Sequence, residues 1–199
     1  TIILIGHHKH VEVQGTVGEA PEKIIVVGSL EEVYKLKVQD ENKVGYITQT
    51  TLSLDDTAEI ISALKKRFPK IQGPAKNDIC YATQNRQDAV KSLAESVDLL
   101  LVVGSINSSN SNRLRELAER YGTIAHLIDD ASMIDNNWFS GAASVGVTAG
   151  ASAPEILVQQ VIDALLTKGA TDVRDMEGRQ ESITFSLPKG LRIPTVAVD

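Results

Sequence analysis

The chain has 199 residues, with 20 Lys and Arg against 26 Asp and Glu, so it carries a formal charge of −6 with a pI near 5.3. Apolar residues make up 42% and glycine adds 14 residues, a globular composition that excludes disordered, collagenous and low-complexity classes. No apolar run approaches the roughly 18 residues that span a bilayer, and no cluster of Lys and Arg offers the phosphate neutralisation a nucleic-acid binder needs. No nucleic-acid or membrane partner is therefore expected.

The first residue is Thr1, not Met, and the expectation is that the sequence begins inside a domain. The stretch 1–5 lacks the basic flank and the length of a signal peptide. One cysteine, Cys80, leaves no internal disulfide and favours a reducing, cytoplasmic compartment.

Taken in chain order, short apolar runs alternate with helical patterns, the signature of βα units and mainly parallel sheets in an α/β protein. Strands are predicted at 2–5, 23–27, 44–48, 99–103, 124–128 and 144–147. Helices are predicted at 55–68, 84–96, 111–121 and 154–167. In the first helix Ile60, Ile61, Leu64 and Phe68 form an apolar stripe opposite Lys65, Lys66 and Arg67. Pro69 and Gln72-Gly73-Pro74 stop it, which suggests two tandem small α/β domains divided near Lys76, over 1–76 and 77–168. A tail over 169–199 follows, in which Ile183-Thr184-Phe185-Ser186-Leu187 alternates like an edge strand ahead of a Pro188-Lys189-Gly190 turn.

Three predicted strands end in loops of small hydroxyl or amide residues that run into helices: Thr48-Gln49-Thr50-Thr51, the segment 103–112, and Thr148 through Ser152. Such loops lie at the carboxyl ends of parallel strands, where ligands bind. Between 105 and 112, seven of eight residues are Ser or Asn. One would cap a helix; seven supply an array of neutral donors at a helix N-terminus, suited to a phosphate or diphosphate. Neither a Walker A lysine pattern nor a Gly-x-Gly-x-x-Gly fingerprint is present, which disfavours a nucleotide and an NAD-type dehydrogenase.

His7, His8, His10 and Glu12 follow the first strand, and the alternation His10-Val11-Glu12-Val13 would set His10 and Glu12 on one face of an extended segment. A histidine beside a carboxylate can bind an anion or relay a proton, or can simply stand in a solvated loop. Cys80 precedes a helix; it is a small buried hydrophobe or, with partners from elsewhere, a metal ligand.

These segments together resemble the 4-hydroxy-3-methylbut-2-enyl diphosphate reductases, the LytB family. The resemblance rests on His10-Val11-Glu12-Val13-Gln14-Gly15-Thr16, Thr48-Gln49-Thr50-Thr51-Leu52-Ser53, Asp78-Ile79-Cys80-Tyr81-Ala82-Thr83, Val103-Gly104-Ser105 with Asn107 through Leu114, and Gly146 through Pro154. It implies three small α/β domains in pseudo-threefold array around a four-iron four-sulfur cluster, of which this chain matches the second and third. It further implies Cys80 as one cluster ligand, Glu12 as the proton donor and Thr50 as the hydroxyl that positions the substrate alcohol. His10, Ser108, Ser109, Asn110 and Ser152 correspond to diphosphate-binding groups. The implied reaction reduces the allylic alcohol of an isoprenoid diphosphate to isopentenyl and dimethylallyl diphosphate, with electrons from a donor such as flavodoxin or ferredoxin.

The sequence departs from the family pattern in two ways. The other cluster cysteines belong to an N-terminal domain that has no counterpart here, so the chain alone is expected to be an inactive fragment holding no cluster. Val11 stands where the family commonly has proline. The reading from another class is a phosphate- or diphosphate-binding module without redox activity.

Overall fold

The computed structural model describes residues 1–75, 78–176, 178, 184, 186–188 and 191. Strands β1 (Ile2–Ile5), β2 (Ile24–Val27) and β3 (Gly45–Thr48) form one sheet in the order β2-β1-β3. Strands β4 (Leu99–Val103), β5 (Ile124–Ile128) and β6 (Val145–Ala149) form another in the order β5-β4-β6. All four strand pairings are parallel, and in each sheet the first strand in sequence lies in the middle. The predicted α/β class with parallel sheets is thus observed.

Among the described residues six α-helices accompany them: α1 (Val11–Glu19), α2 (Leu30–Lys35), α3 (Leu54–Arg67), α4 (Tyr81–Ala94), α5 (Ser109–Arg120) and α6 (Glu155–Thr167), the last following β6. In α3 the Ser53 hydroxyl accepts from the Asp55 and Asp56 N–H groups, with acids in the first turn and bases in the last, as the helix dipole favours. Leu64 and Phe68 are fully buried against Ile3, Ile5 and Val33. Arg67, expected on the polar face, instead donates to the Val33 and Leu36 carbonyls and closes the end of α2.

Three helices depart from the prediction: α1, α2, which is not predicted at all, and the start of α4. The segment His10–Val13 is not extended: His10 caps α1, its ring Nδ1 accepting from the Glu12 N–H at 3.3 Å, and Glu12 lies in the first helical turn. The cap satisfies an N–H that an isolated strand would leave unpaired. Likewise α4 starts at Tyr81, earlier than predicted, with Cys80 as its N-cap residue. The boundary expected at Lys76 falls on a residue outside the described set, as do Ile183 and Phe185 of the alternating segment, while Thr184, Ser186 and Leu187 are described and lie in no strand, against the edge strand expected there.

Candidate functional site

The site is built on the loops that leave the carboxyl ends of β1, β3, β4 and β6, the end of a parallel sheet where ligands sit. The β3 loop is its hub. The Glu12 carboxylate, from the first turn of α1, accepts from the Thr50 N–H at 2.8 Å through Oε1. The Thr50 carbonyl accepts from the Cys80 N–H at 3.1 Å. One residue later, Thr51 Oγ1 lies 2.9 Å from Ser109 Oγ. Glu12, Thr50 and Cys80 are therefore brought together through the Thr50 backbone, and Thr51 joins them to the Ser and Asn run.

That run opens α5. Ser108 is the N-cap residue, its hydroxyl accepting from the Ser111 N–H at 3.2 Å. No acidic residue occupies the first turn of α5, so nothing there opposes an incoming anion. Asn110 is 6% exposed, and neither its amide oxygen nor its amide nitrogen has a hydrogen-bond partner. A buried carboxamide left unsatisfied costs on the order of 1–3 kcal/mol, and a ligand that bonds to it would offset that cost.

The β6 loop closes on the same helix start. A Cβ placed on Gly104 or Gly150 would come within 2.3 or 2.1 Å of Ser111 Oγ, so only glycine lets these two loops approach α5 so closely. The same added Cβ on Gly150 would also meet Asn110 Nδ2 at 3.7 Å. Ser152 is exposed in the turn two residues on, near this face but not bonded to the other predicted groups among the described residues.

The histidines separate. His8 Nε2 pairs with Glu32 at 3.0 Å, away from the hub, where the Gly28 N–H and His8 together hold the Glu32 carboxyl below its usual range. His7 Nε2 lies 3.3 Å from Arg113 Nη2; partial burial first, and then the Arg113 charge, lower its pKa from 6.5. Arg113, the cation that follows the Ser and Asn run, is committed to Asp56 at 3.1 Å and Glu116 at 3.2 Å. Arg120 holds the same Asp56 at 2.7 Å. The start of α5 accordingly presents neutral groups and a helix terminus, with both arginines of this cluster committed to carboxylates.

Cys80 is exposed, which removes its reading as a buried hydrophobe. Among the described residues no group of three or more His, Cys, Asp or Glu is arranged to hold a metal ion. A cubane cluster takes several thiolates, so the donor set of this chain does not fit one by itself. No helix among the described residues is long and apolar enough to cross a membrane.

Sequence reasoning missed Gln49 and Thr51, which tie β1, β3 and α5 together, and the Asp56, Arg113 and Arg120 cluster between α3 and α5. The first pair stood within the Thr48-Gln49-Thr50-Thr51 segment as a detectable signal; the second joins residues more than 50 positions apart and had none.

Comparison with known proteins bears on the same residues. The family model described as LytB protein matches residues 1–166. The chain is 60% identical over 198 residues to 4-hydroxy-3-methylbut-2-enyl diphosphate reductase of Hahella chejuensis, covering 98% of this chain and 62% of that protein. It is 58% identical to the reductase of the same name from Marinobacter nauticus, covering 63% of that protein. The chain thus spans under two thirds of these curated relatives. Its structure superposes on the E-1-hydroxy-2-methyl-but-2-enyl-4-diphosphate reductase of Plasmodium falciparum with a TM-score of 0.87 and 37% identity, over 95% of this chain and 60% of that one. With a family model matched across both sheets, the chain belongs to the LytB protein family.

Proposed function

We propose that this chain is the substrate-holding and proton-delivering part of a 4-hydroxy-3-methylbut-2-enyl diphosphate reductase, an oxidoreductase of isoprenoid biosynthesis. The observation that carries the reading is the buried, unpartnered Asn110 carboxamide at the start of α5, joined through Ser109 and Thr51 to the loop that meets Glu12 and Cys80. In this reading the chain comprises two α/β domains, over 1–76 and 77–168, followed by the tail 169–199.

Ser108, Ser109, Asn110, Ser152 and His10 bind the diphosphate, with the first turn of α5 providing backbone N–H groups and a partial positive charge. The Thr50 hydroxyl orients the allylic alcohol. Reduction replaces the substrate's C–O bond with a C–H bond, consuming two electrons and two protons and releasing water. Glu12 is the source of the proton that the departing oxygen takes, since a threonine hydroxyl is too weak an acid for that role. In the completed protein Cys80 would give one thiolate to a four-iron four-sulfur cluster, which would supply the electrons, and the remaining cysteine ligands would come from the part of the relatives that this chain does not span. A flavodoxin- or ferredoxin-type donor would pass electrons to that cluster.

The test is to complete the chain with the portion of the Hahella chejuensis relative that it does not match, and to assay anaerobic turnover of the diphosphate substrate. Turnover that is lost on Cys80→Ser supports the reading. A completed protein that binds the diphosphate but turns nothing over would favour the alternative, a diphosphate-binding module without redox activity. The unextended chain, reconstituted with iron and sulfide, is expected to hold no stable cluster; recovery of about four irons per monomer would contradict that expectation.

A further inference from the structure

The hydrogen bonds that join β1 to the β3 loop have a fixed direction as far as Thr51, and in the next bond, from Thr51 to α5, either hydroxyl can be the donor. The His7 peptide N–H donates to Gln49 Oε1 at 3.0 Å. A backbone N–H can only donate, so this bond decides which end of the Gln49 carboxamide, 1% exposed, faces His7. The other end, Nε2, donates to Thr51 Oγ1 at 2.9 Å. With one lone pair taken by Gln49, Thr51 has its own proton and a second lone pair left, and Ser109 Oγ lies at 2.9 Å to take the one or fill the other. Where Thr51 gives its proton to Ser109, the Ser109 proton is left to direct elsewhere, next in sequence to the unpartnered Asn110 amide.

We propose that Gln49 and Thr51 are positioning residues that set the polarity of the Ser109 hydroxyl, making it a donor to the anion bound at the start of α5. The inference rests on the diphosphate-binding reading above and adds the part that orients it. Were the chain reversed, Ser109 would donate to Thr51 and turn a lone pair toward a negatively charged ligand. Each bond in the series also polarises the next, which strengthens the terminal donor. A tie that only held the loops together would serve equally well with either polarity, so polarity is what an experiment must read.

Titration of the 199-residue chain with inorganic pyrophosphate by calorimetry supplies that readout, with thermal unfolding recorded for each variant. Removing one donor to a charged ligand should weaken binding about tenfold, as expected for Ser109→Ala. Thr51→Val, which keeps the shape and loses the hydroxyl, should weaken it by about threefold to tenfold, and Thr51→Ser should restore it to within about twofold. In the Ser109→Ala background Thr51→Val should cost less than about twofold more, because its effect passes through Ser109. Gln49→Glu offers an independent route: it presents an acceptor to Thr51 and reverses the series, so its penalty should be smaller when Ser109 is already alanine. Thr51→Val binding as tightly as the parent, or costing the same with and without Ser109, overturns the proposal. If Asn110→Ala abolishes binding while Thr51→Val does nothing, the anion site stands and only the polarity argument falls. A parent chain that gives no heat with pyrophosphate overturns the anion site, and the polarity argument with it.

Discussion

The two sheets share one topology, a central strand laid down first with a parallel neighbour on either side, yet they are built and used differently. In the second, β4 is buried along all five residues, with Leu100 and Val102 packed against α4 and α5 and Leu99, Leu101 and Val103 packed towards α6. In the first, Ile3 and Ile5 join the core under α2 and α3, while Leu4 belongs to no comparable cluster. Titratable groups follow the same division. The loop after β1 and the first turn of α1 carry His7, His8, His10 and Glu12; the loops after β4 and β6 carry Ser, Asn and Gly. The layer buried on both faces carries neutral donors, and the lighter half carries groups that can exchange protons.

The sharpest test of that division is Glu12→Gln in the completed protein. The glutamine oxygen can still accept from the Thr50 N–H, so substrate affinity should stay within a few-fold while turnover falls by roughly 100-fold or more, the range of general acid catalysis. Single-turnover kinetics with separately measured binding reads both quantities. If affinity fell as much as turnover, Glu12 would be a loop-ordering residue, and the first half would lose its distinct role.

Stability should follow the packing. Leu101→Ala, in the middle of β4 and fully buried, is expected to cost about 3 kcal/mol in urea unfolding, and Leu4→Ala in β1 less than that. Equal losses would mean that the two central strands are equivalent in packing after all. Asn110→Ala should lower affinity for the diphosphate by on the order of 10- to 100-fold, the cost of a lost bond to a charged group, and calorimetry decides it. An unchanged affinity would move the anion site away from α5.

Much of this arrangement was legible in the residues because it depends on local pattern. Runs such as Leu99–Val103 and Ile124–Ile128 coincide with their strands, since a short apolar run between polar turns has few other places to go. The Ser and Asn run likewise declares a helix start. The helix α1 escaped notice because Gly15 and Gly18 dilute it and its opening alternates as a strand would; a side-chain cap from His10 decides the matter. The short helix α2 offered too few residues for periodicity to register. At the site, residue types could nominate Glu12, Thr50 and Cys80, but not that the Thr50 backbone links them, because that contact spans 38 residues to one side and 30 to the other. The ion cluster around Asp56 is tertiary in the same sense, and no spacing announces it.

That cluster yields the smallest expected effect and the test of where the two halves meet. His7 lines a cavity of about 230 Å³ with Asp56, Arg113 and Arg120, contributed by both halves. Its pKa is lowered from 6.5 chiefly by partial burial, with Arg113 and His10 adding to the shift against Glu116 and Asp56. Between the lowered value and 6.5, the unfolded chain binds more protons than the folded one, so stability is present above that window and is lost as pH falls through it. His126, stacked on Trp138 at 3.9 Å and likewise lowered mainly by burial, contributes in the same direction from the second half. Solvent screens a ring as accessible as His7, so its share should be below about 1 kcal/mol. His7→Gln keeps an acceptor for Arg113 and removes the titration. Urea unfolding at pH 7.5 and 5.5 should then show the variant losing less stability on acidification than the parent, with the remainder removed by His126→Gln. If His7→Gln left the pH dependence untouched while His126→Gln abolished it, proton sensitivity would reside in the second half alone, and the contrast between the two halves would fail at this point.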